Sequence, residues 1–225
     1  TVVDTAPRPA DLDAEFGRVL QQPGFGDALW IAAKVNATGQ EAAIAQVRQS
    51  QRLFGRETFD LLQIESLTDL KTNWPILQAS KAAGDARYIG VTVANERLYS
   101  QLESFMRRES PDFVQINYSI VEHTAEERLL PLAEELGIAV LVNGPFMNGD
   151  YFGLVRDKTL PDWAREFDCE SWAQFSLKYI LAHQAVTCVL TETTKPQHMQ
   201  DNIGAGFGRL PDEAARRRMR VLLRG

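Results

Sequence analysis

Short apolar runs alternate with helix-length amphipathic segments along nearly the whole chain. Runs with strand character fall at 1–4, 29–35, 59–65, 88–93, 113–118, 139–142 and 187–190. The spacing of apolar positions predicts helices at about 12–22, 40–54, 74–83, 96–109, 125–136, 171–182, 196–204 and 211–223. The clearest strand is FDLLQIESL at 59–67, almost wholly apolar and bounded by polar residues, as strands buried on both faces are. It closes on a single carboxylate, Glu65. A buried Glu is rare unless paired, so the company of Glu65 decides what it does. Regular β-then-α alternation predicts a parallel sheet with helical crossovers, and Gly84 and Gly137 sit where helices stop before a strand. No low-complexity linker interrupts the pattern, so 1–225 reads as one domain.

An open doubly wound sheet and a barrel both fit seven such strands. A doubly wound nucleotide binder carries a GxGxxG turn after its first strand. Gly137, Gly144 and Gly149 do not make that pattern, and the glycines at 204, 206 and 208 come late, after a helix. Polar residues instead close nearly every strand: Asp4, Lys34, Glu65, Thr92, Gln115, Asn117 and Asn143. In a (β/α)8 barrel those ends share one mouth, where active sites lie, so a TIM-type barrel is the expected fold.

Composition narrows the function classes. A net charge of -6 argues against a nucleic-acid or anionic-membrane surface. The cluster Arg216, Arg217, Arg218, Arg220 and Arg224 reads as a solvated helix face, and Glu126 and Glu127 as acids favourable to a helix start. Cys169 and Cys188 give neither a disulfide framework nor a metal pattern, and His123, His183 and His198 are dispersed. Met147, Tyr151 and Phe152 either line a pocket or pack their own loop down. No apolar run approaches the roughly 20 residues of a membrane helix. A cytoplasmic location is expected, or a periplasmic one if a leader preceded the opening TVVDTAP.

The order of motifs resembles the aldo-keto reductase superfamily. The pieces are VVDTAP at 2–7, IAAKV at 31–35, FDLLQIESL at 59–67, GDARYIGVT at 84–92 and DFVQINYSI at 112–120. They continue with GIAVLV at 137–142, SWAQFSLKYIL at 171–181 and TTKPQHMQDNIGA at 193–205. The resemblance implies a TIM barrel that binds NADP(H) across its mouth and reduces carbonyls without a metal. It also makes the DTA strand the second of the barrel. Either the N-terminus was lost, or the second and eighth strands meet, or another chain fills the gap.

The resemblance further implies roles for single positions. The family's catalytic Asp and Lys fall on Asp4 and Lys34, and its Tyr acid falls on Pro9, which has no hydroxyl. The family His falls on Glu65. Desolvation would suit Glu65 to act as an acid, but an ion pair with Lys34 is the plainer expectation. Thr92, Gln115 and Asn143 fall at nicotinamide positions, Thr193 and His198 at the adenosine 2′-phosphate, and Asn202 at the adenine. Glu192 would repel that phosphate, so NADP(H) binding is expected to be weakened. The leading expectation is a member with an altered site, a pseudoenzyme or one using Asp4, Lys34 and Glu65 for ligand binding or proton transfer. The alternatives are an NADPH-dependent reductase of a small carbonyl ligand and a scaffold subunit. Expected partners are a small carbonyl-type molecule and a further copy of the chain, with no nucleic acid or membrane.

Overall fold

The protein is described by a computed structural model that covers residues 1–24 and 26–223, so Arg224 lies outside the described residues. Two compact units divide it, Thr1–Val114 and Gln115–Gly225.

In the first unit, strands and helices alternate as β1 (Val2–Asp4), α1 (Ala10–Leu20), β2 (Trp30–Val35), α2 (Gln40–Phe54), β3 (Phe59–Glu65), α3 (Leu70–Ala83), β4 (Ala86–Val93) and α4 (Tyr99–Glu109). β1 to β4 neighbour one another in sequence order, and each pair is parallel. The register fixes the levels of the polar strand ends: Asp4 lies opposite Ala32, Lys34 opposite Gln63, and Glu65 opposite Thr92. Side chains two apart share a face of a strand, so Gln63 and Glu65 point to the same side of β3.

Helix α2 buries Ala43, Val47 and Phe54 and stops where Gly55 takes the left-handed conformation. Phe54 meets Phe16 edge-on at 5.1 Å and Phe59 at 6.1 Å. Burial of the Phe54 and Phe59 rings contributes about 1.5–3 kcal/mol each. α1 crosses α2 so closely that a Cβ on Gly17 would stand 1.7 Å from the Leu53 carbonyl oxygen. On α3, Trp74 lies edge-on to Phe105 at 4.9 Å and donates its indole N–H to Glu109 at 2.9 Å.

The second unit contains most of β5 (Phe113–Asn117), then α5 (Leu129–Leu136), β6 (Ala139–Asn143), α6 (Asp150–Val155), α7 (Trp172–Leu181), β7 (Val186–Val189), α8 (Pro196–Gly204) and α9 (Glu213–Leu223). β6 and β7 are parallel, with a register shift between Val140 and Leu141. α7 is buried along most of its length and starts at Ser171, whose hydroxyl accepts the Gln174 N–H at 3.1 Å. α6 and a 3-10 helix at Asp162–Phe167 fold where the sequence pattern reads as loop, because neither is long enough to show a helical period. Tyr151 packs that region down: its ring is fully buried and its hydroxyl donates to the Trp172 carbonyl at 3.0 Å.

The C-terminal arginines correct one expectation. Arg216 is 6% exposed, far from a solvated face. Its guanidinium donates to Glu126, to the Tyr118 hydroxyl and to the Tyr179 carbonyl oxygen, the last at 3.1 Å, and lies over the Tyr179 ring at 4.5 Å. Glu126 also accepts from the Tyr179 hydroxyl at 2.6 Å, from Arg220 at 2.8 Å and from the Tyr118 hydroxyl. Glu126 does stand at a helix start, in the first turn of a 3-10 helix, but its hydrogen bonds go to side chains of other elements. It sits in a 3-10 turn before α5 and ties α9 to α7.

Candidate functional site

Lys34 comes up from β2 and is buried, where an ammonium is costly unless it is paired. Its ammonium donates to the Asp4 carboxylate and, at 3.0 Å, to the Thr5 carbonyl oxygen. Two of its three N–H donors are thereby committed, and one remains for a ligand. Pro9, at the position expected for the acid, is exposed and forms the N-cap of α1.

Glu65 does not pair with Lys34, contrary to expectation. It accepts from the Asn36 side-chain amide at 2.8 Å. The register explains the change: Lys34 is level with Gln63, so Glu65 stands one same-face step further along and meets Asn36, two residues beyond Lys34. Asn36 is itself held by α2, where Gln46 donates to the Asn36 Oδ1 at 2.8 Å. Thr92 is buried opposite Glu65 on β4.

The loop after Glu65 is strained. Ser66, Leu67 and Asp69 hold φ values of 53°, 56° and 42°, in the left-handed region that L side chains rarely adopt. Neighbouring hydrogen bonds fix this shape. Ser66 N–H donates to the Thr92 carbonyl at 2.8 Å, and the Asn73 side chain donates to the Ala37 and Thr68 carbonyls at 3.0 and 2.8 Å. Asp69 accepts the Gly39 N–H at 2.9 Å, which holds its carboxyl below the usual carboxylate range.

The second unit carries the other expected positions. Gln115, nearly fully buried, donates to the Asn143 Oδ1 at 2.6 Å. Asn143 thus uses its acceptor on Gln115 and keeps amide N–H donors, which suits a carboxamide oxygen such as that of nicotinamide. Asn202 is buried in the last turn of α8. Thr193 turns back to accept the Lys195 N–H at 3.1 Å, and His198 is exposed in the first turn of α8. Gln174 secures α8 by donating to the Asp201 carboxylate at 2.8 Å. The residues fit the nicotinamide end of NADP(H). At the positions expected for the 2′-phosphate, exposed Glu192 would repel the charge that exposed Lys195 would attract. Among the described residues no group of His, Cys, Asp or Glu could hold a metal ion, and no helix is long and apolar enough to cross a membrane.

Asn36, Gln46 and Gln63 are the site residues that sequence reasoning misses. Gln63 alone carries a signal: it is a lone amide in an apolar strand, on the face shared with Glu65.

Alternating strands and helices with polar strand ends define a class of protein, the (β/α) barrels that carry chemistry on their strand termini. Comparison with known proteins makes this definite. Residues 2–220 match the Aldo/keto reductase family, and the chain belongs to that family. An aldo-keto reductase from Bacillus halodurans in its holo form is 22% identical, with 99% of this chain and 82% of that one aligned at a TM-score of 0.77. One from Klebsiella pneumoniae, solved in complex with NADPH, is 18% identical over 99% of this chain and 80% of its own, at a TM-score of 0.79. These likenesses show the fold, a TIM (β/α)8-type barrel. The chain is also similar to an NADH-specific methylglyoxal reductase of Escherichia coli K12, 23% identical over 155 residues. That match spans 58% of this chain and about half of that protein, 47% of its length.

Proposed function

We propose that this family member has an altered acid–base centre and does not carry out ordinary carbonyl reduction. The observation that carries the reading is the surroundings of Lys34, which hold an Asp partner but no hydroxyl acid at position 9. The Lys34 ammonium is committed to Asp4 and the Thr5 carbonyl, and Pro9 offers no hydroxyl where the family acid is expected. A reduction needs a proton donor for the developing alkoxide, and a proline cannot be one. Asp4, Lys34 and Glu65 then serve ligand binding or proton exchange at the strand ends of the first unit. Lys34 polarises a carbonyl-type ligand with its remaining N–H, and the ion pair with Asp4 offsets the cost of burying that ammonium. The expected ligand is a small polar molecule in a cytoplasmic setting, and a homo-oligomer is the expected assembly.

One observation favours a second reading, an NADPH-dependent reductase of a small carbonyl compound. The Gln115–Asn143 pair presents amide donors suited to a nicotinamide carboxamide, and Asn202 is buried on α8. NADP(H), when bound, would supply the hydride. The two readings part on cofactor. Under the first, NADPH quenches the fluorescence of the four tryptophans little or not at all. Saturable low-micromolar quenching together with turnover of a broad aldehyde panel would sink it.

A further inference from the structure

The strand ends of the first unit carry an uneven charge. Lys34 is neutralised by Asp4, whereas Glu65 has no cationic partner among the described residues and is held by a neutral amide. The relay behind it has one direction. Gln46 Oε1 accepts the backbone N–H groups of Asn36 and Ala37 at 2.9 and 3.1 Å, which orients the Gln46 amide. Its Nε2 must then donate to the Asn36 Oδ1, and that orients Asn36 so that its Nδ2 donates to Glu65 Oε2. Two neutral amides thus hold a carboxylate in place without cancelling its charge, and Oε1 of Glu65 stays uncommitted.

A second observation points the same way. Gln63 lies two residues before Glu65 on the same face of β3, is fully buried, and among the described residues has no hydrogen-bond partner for either side-chain amide atom. Its β4 neighbour in register is Gly90, which contributes no side chain to satisfy it. A buried amide of this kind calls for a partner from outside the protein, a ligand group or a water it brings.

We infer that Glu65 recognises the ammonium group of a small amino alcohol or amino-carbonyl compound, and that Gln63 meets the neighbouring hydroxyl or carbonyl. The inference rests on the reading of these strand ends as a ligand site. An ammonium supplies both the missing charge and the donors that Oε1 lacks, a hydroxyl supplies only a donor, and a carboxylate is repelled. Asn36 and Gln46 are positioning residues: they never touch the ligand but set where the Glu65 charge stands.

The test is calorimetry at neutral pH and low salt with three probes of one size, serinol, glycerol and glycerate. Serinol is expected to bind at least tenfold more tightly than glycerol, and glycerate not at all. Glu65→Gln should erase the difference between serinol and glycerol, and Asn36→Ala should shrink that ratio several-fold with the fold intact by circular dichroism. Equal binding of serinol and glycerol, no saturable response to serinol, or a preference that survives Glu65→Gln would each overturn the inference. No cofactor is added, so the outcome separates from that of the reductase question. Selective serinol binding in a protein that also turns over aldehydes upholds this inference while removing the altered-centre reading.

Discussion

Asn36 donates to Glu65 across 2.8 Å, while Lys34, two residues earlier on the same strand face, turns to Asp4. The charge of Glu65 is thereby kept apart from the one buried cation on β2. Replacing Asn36 by Asp would set two carboxylates in this position. Like charges opposed across neighbouring strands cost about 0.2–1 kcal/mol, less where solvent screens them. Asn36→Asp should lower the urea midpoint at neutral pH and lose that deficit in acid, where one of the two carboxyls takes a proton. A deficit that persists unchanged at acid pH would mean that the Asn36 amide is needed for packing rather than for charge.

The Lys34–Asp4 pair makes a different prediction, because Lys34 is buried and Asp4 only partly so. Lys34→Met leaves Asp4 without its ammonium, and Asp4→Asn leaves Lys34 buried with less to neutralise it. Each single change should destabilise, and the double variant should recover part of the loss, with a coupling on the order of 0.5–3 kcal/mol. Strict additivity in urea unfolding would show that the pair contributes nothing as a pair.

Much of this arrangement is legible in the amino-acid sequence. β3 and α2 fall at the residues their apolar periods indicate, because both are long and cleanly patterned. Asp4, Lys34 and Glu65 stand out as polar residues ending apolar strands. What is not legible depends on register and on long-range pairing. Whether Glu65 meets Lys34 or Asn36 turns on a two-residue difference in register between β2 and β3, which no local pattern encodes. Likewise Glu126 and Arg216 lie 90 residues apart, so the run of arginines looks like a solvated face until α9 is placed against Tyr179. Tyr118 and Tyr179 give a partial clue, since buried tyrosines need a partner for their hydroxyls.

Gly17 sits where α1 crosses the end of α2, and a Cβ there would stand 1.7 Å from the Leu53 carbonyl oxygen. Alanine favours helix over glycine by about 1 kcal/mol, so a gain would be expected on propensity alone. The backbone contact reverses the sign, because a carbonyl cannot rotate away as a side chain can. Gly17→Ala should destabilise by about 1–3 kcal/mol, the usual range for overpacking. A raised melting temperature would show that α1 can lift off α2 at little cost.

Glu126 makes the sharpest pH prediction. Burial alone would raise its pKa, but the hydroxyls of Tyr118 and Tyr179 and the charges of Arg216 and Arg220 outweigh burial and hold it below its ordinary 4.5. Burial, joined by the neighbouring carboxylate, also pushes the Tyr179 hydroxyl up to about 12, so it remains a donor throughout the neutral range. A carboxyl with a depressed folded pKa stabilises fully above its unfolded value and loses that contribution as pH falls through the folded one. The wild type should therefore lose stability below about pH 4.5 more steeply than Glu126→Gln, which cannot titrate there. At neutral pH, Arg216→Met should cost about 3 kcal/mol, because it strips a carboxylate of its main buried partner. Glu126→Gln combined with Arg216→Met should cost less than the sum of the two. Parallel acid limbs for wild type and Glu126→Gln in urea titrations would show that this carboxylate does not anchor the C-terminal helix.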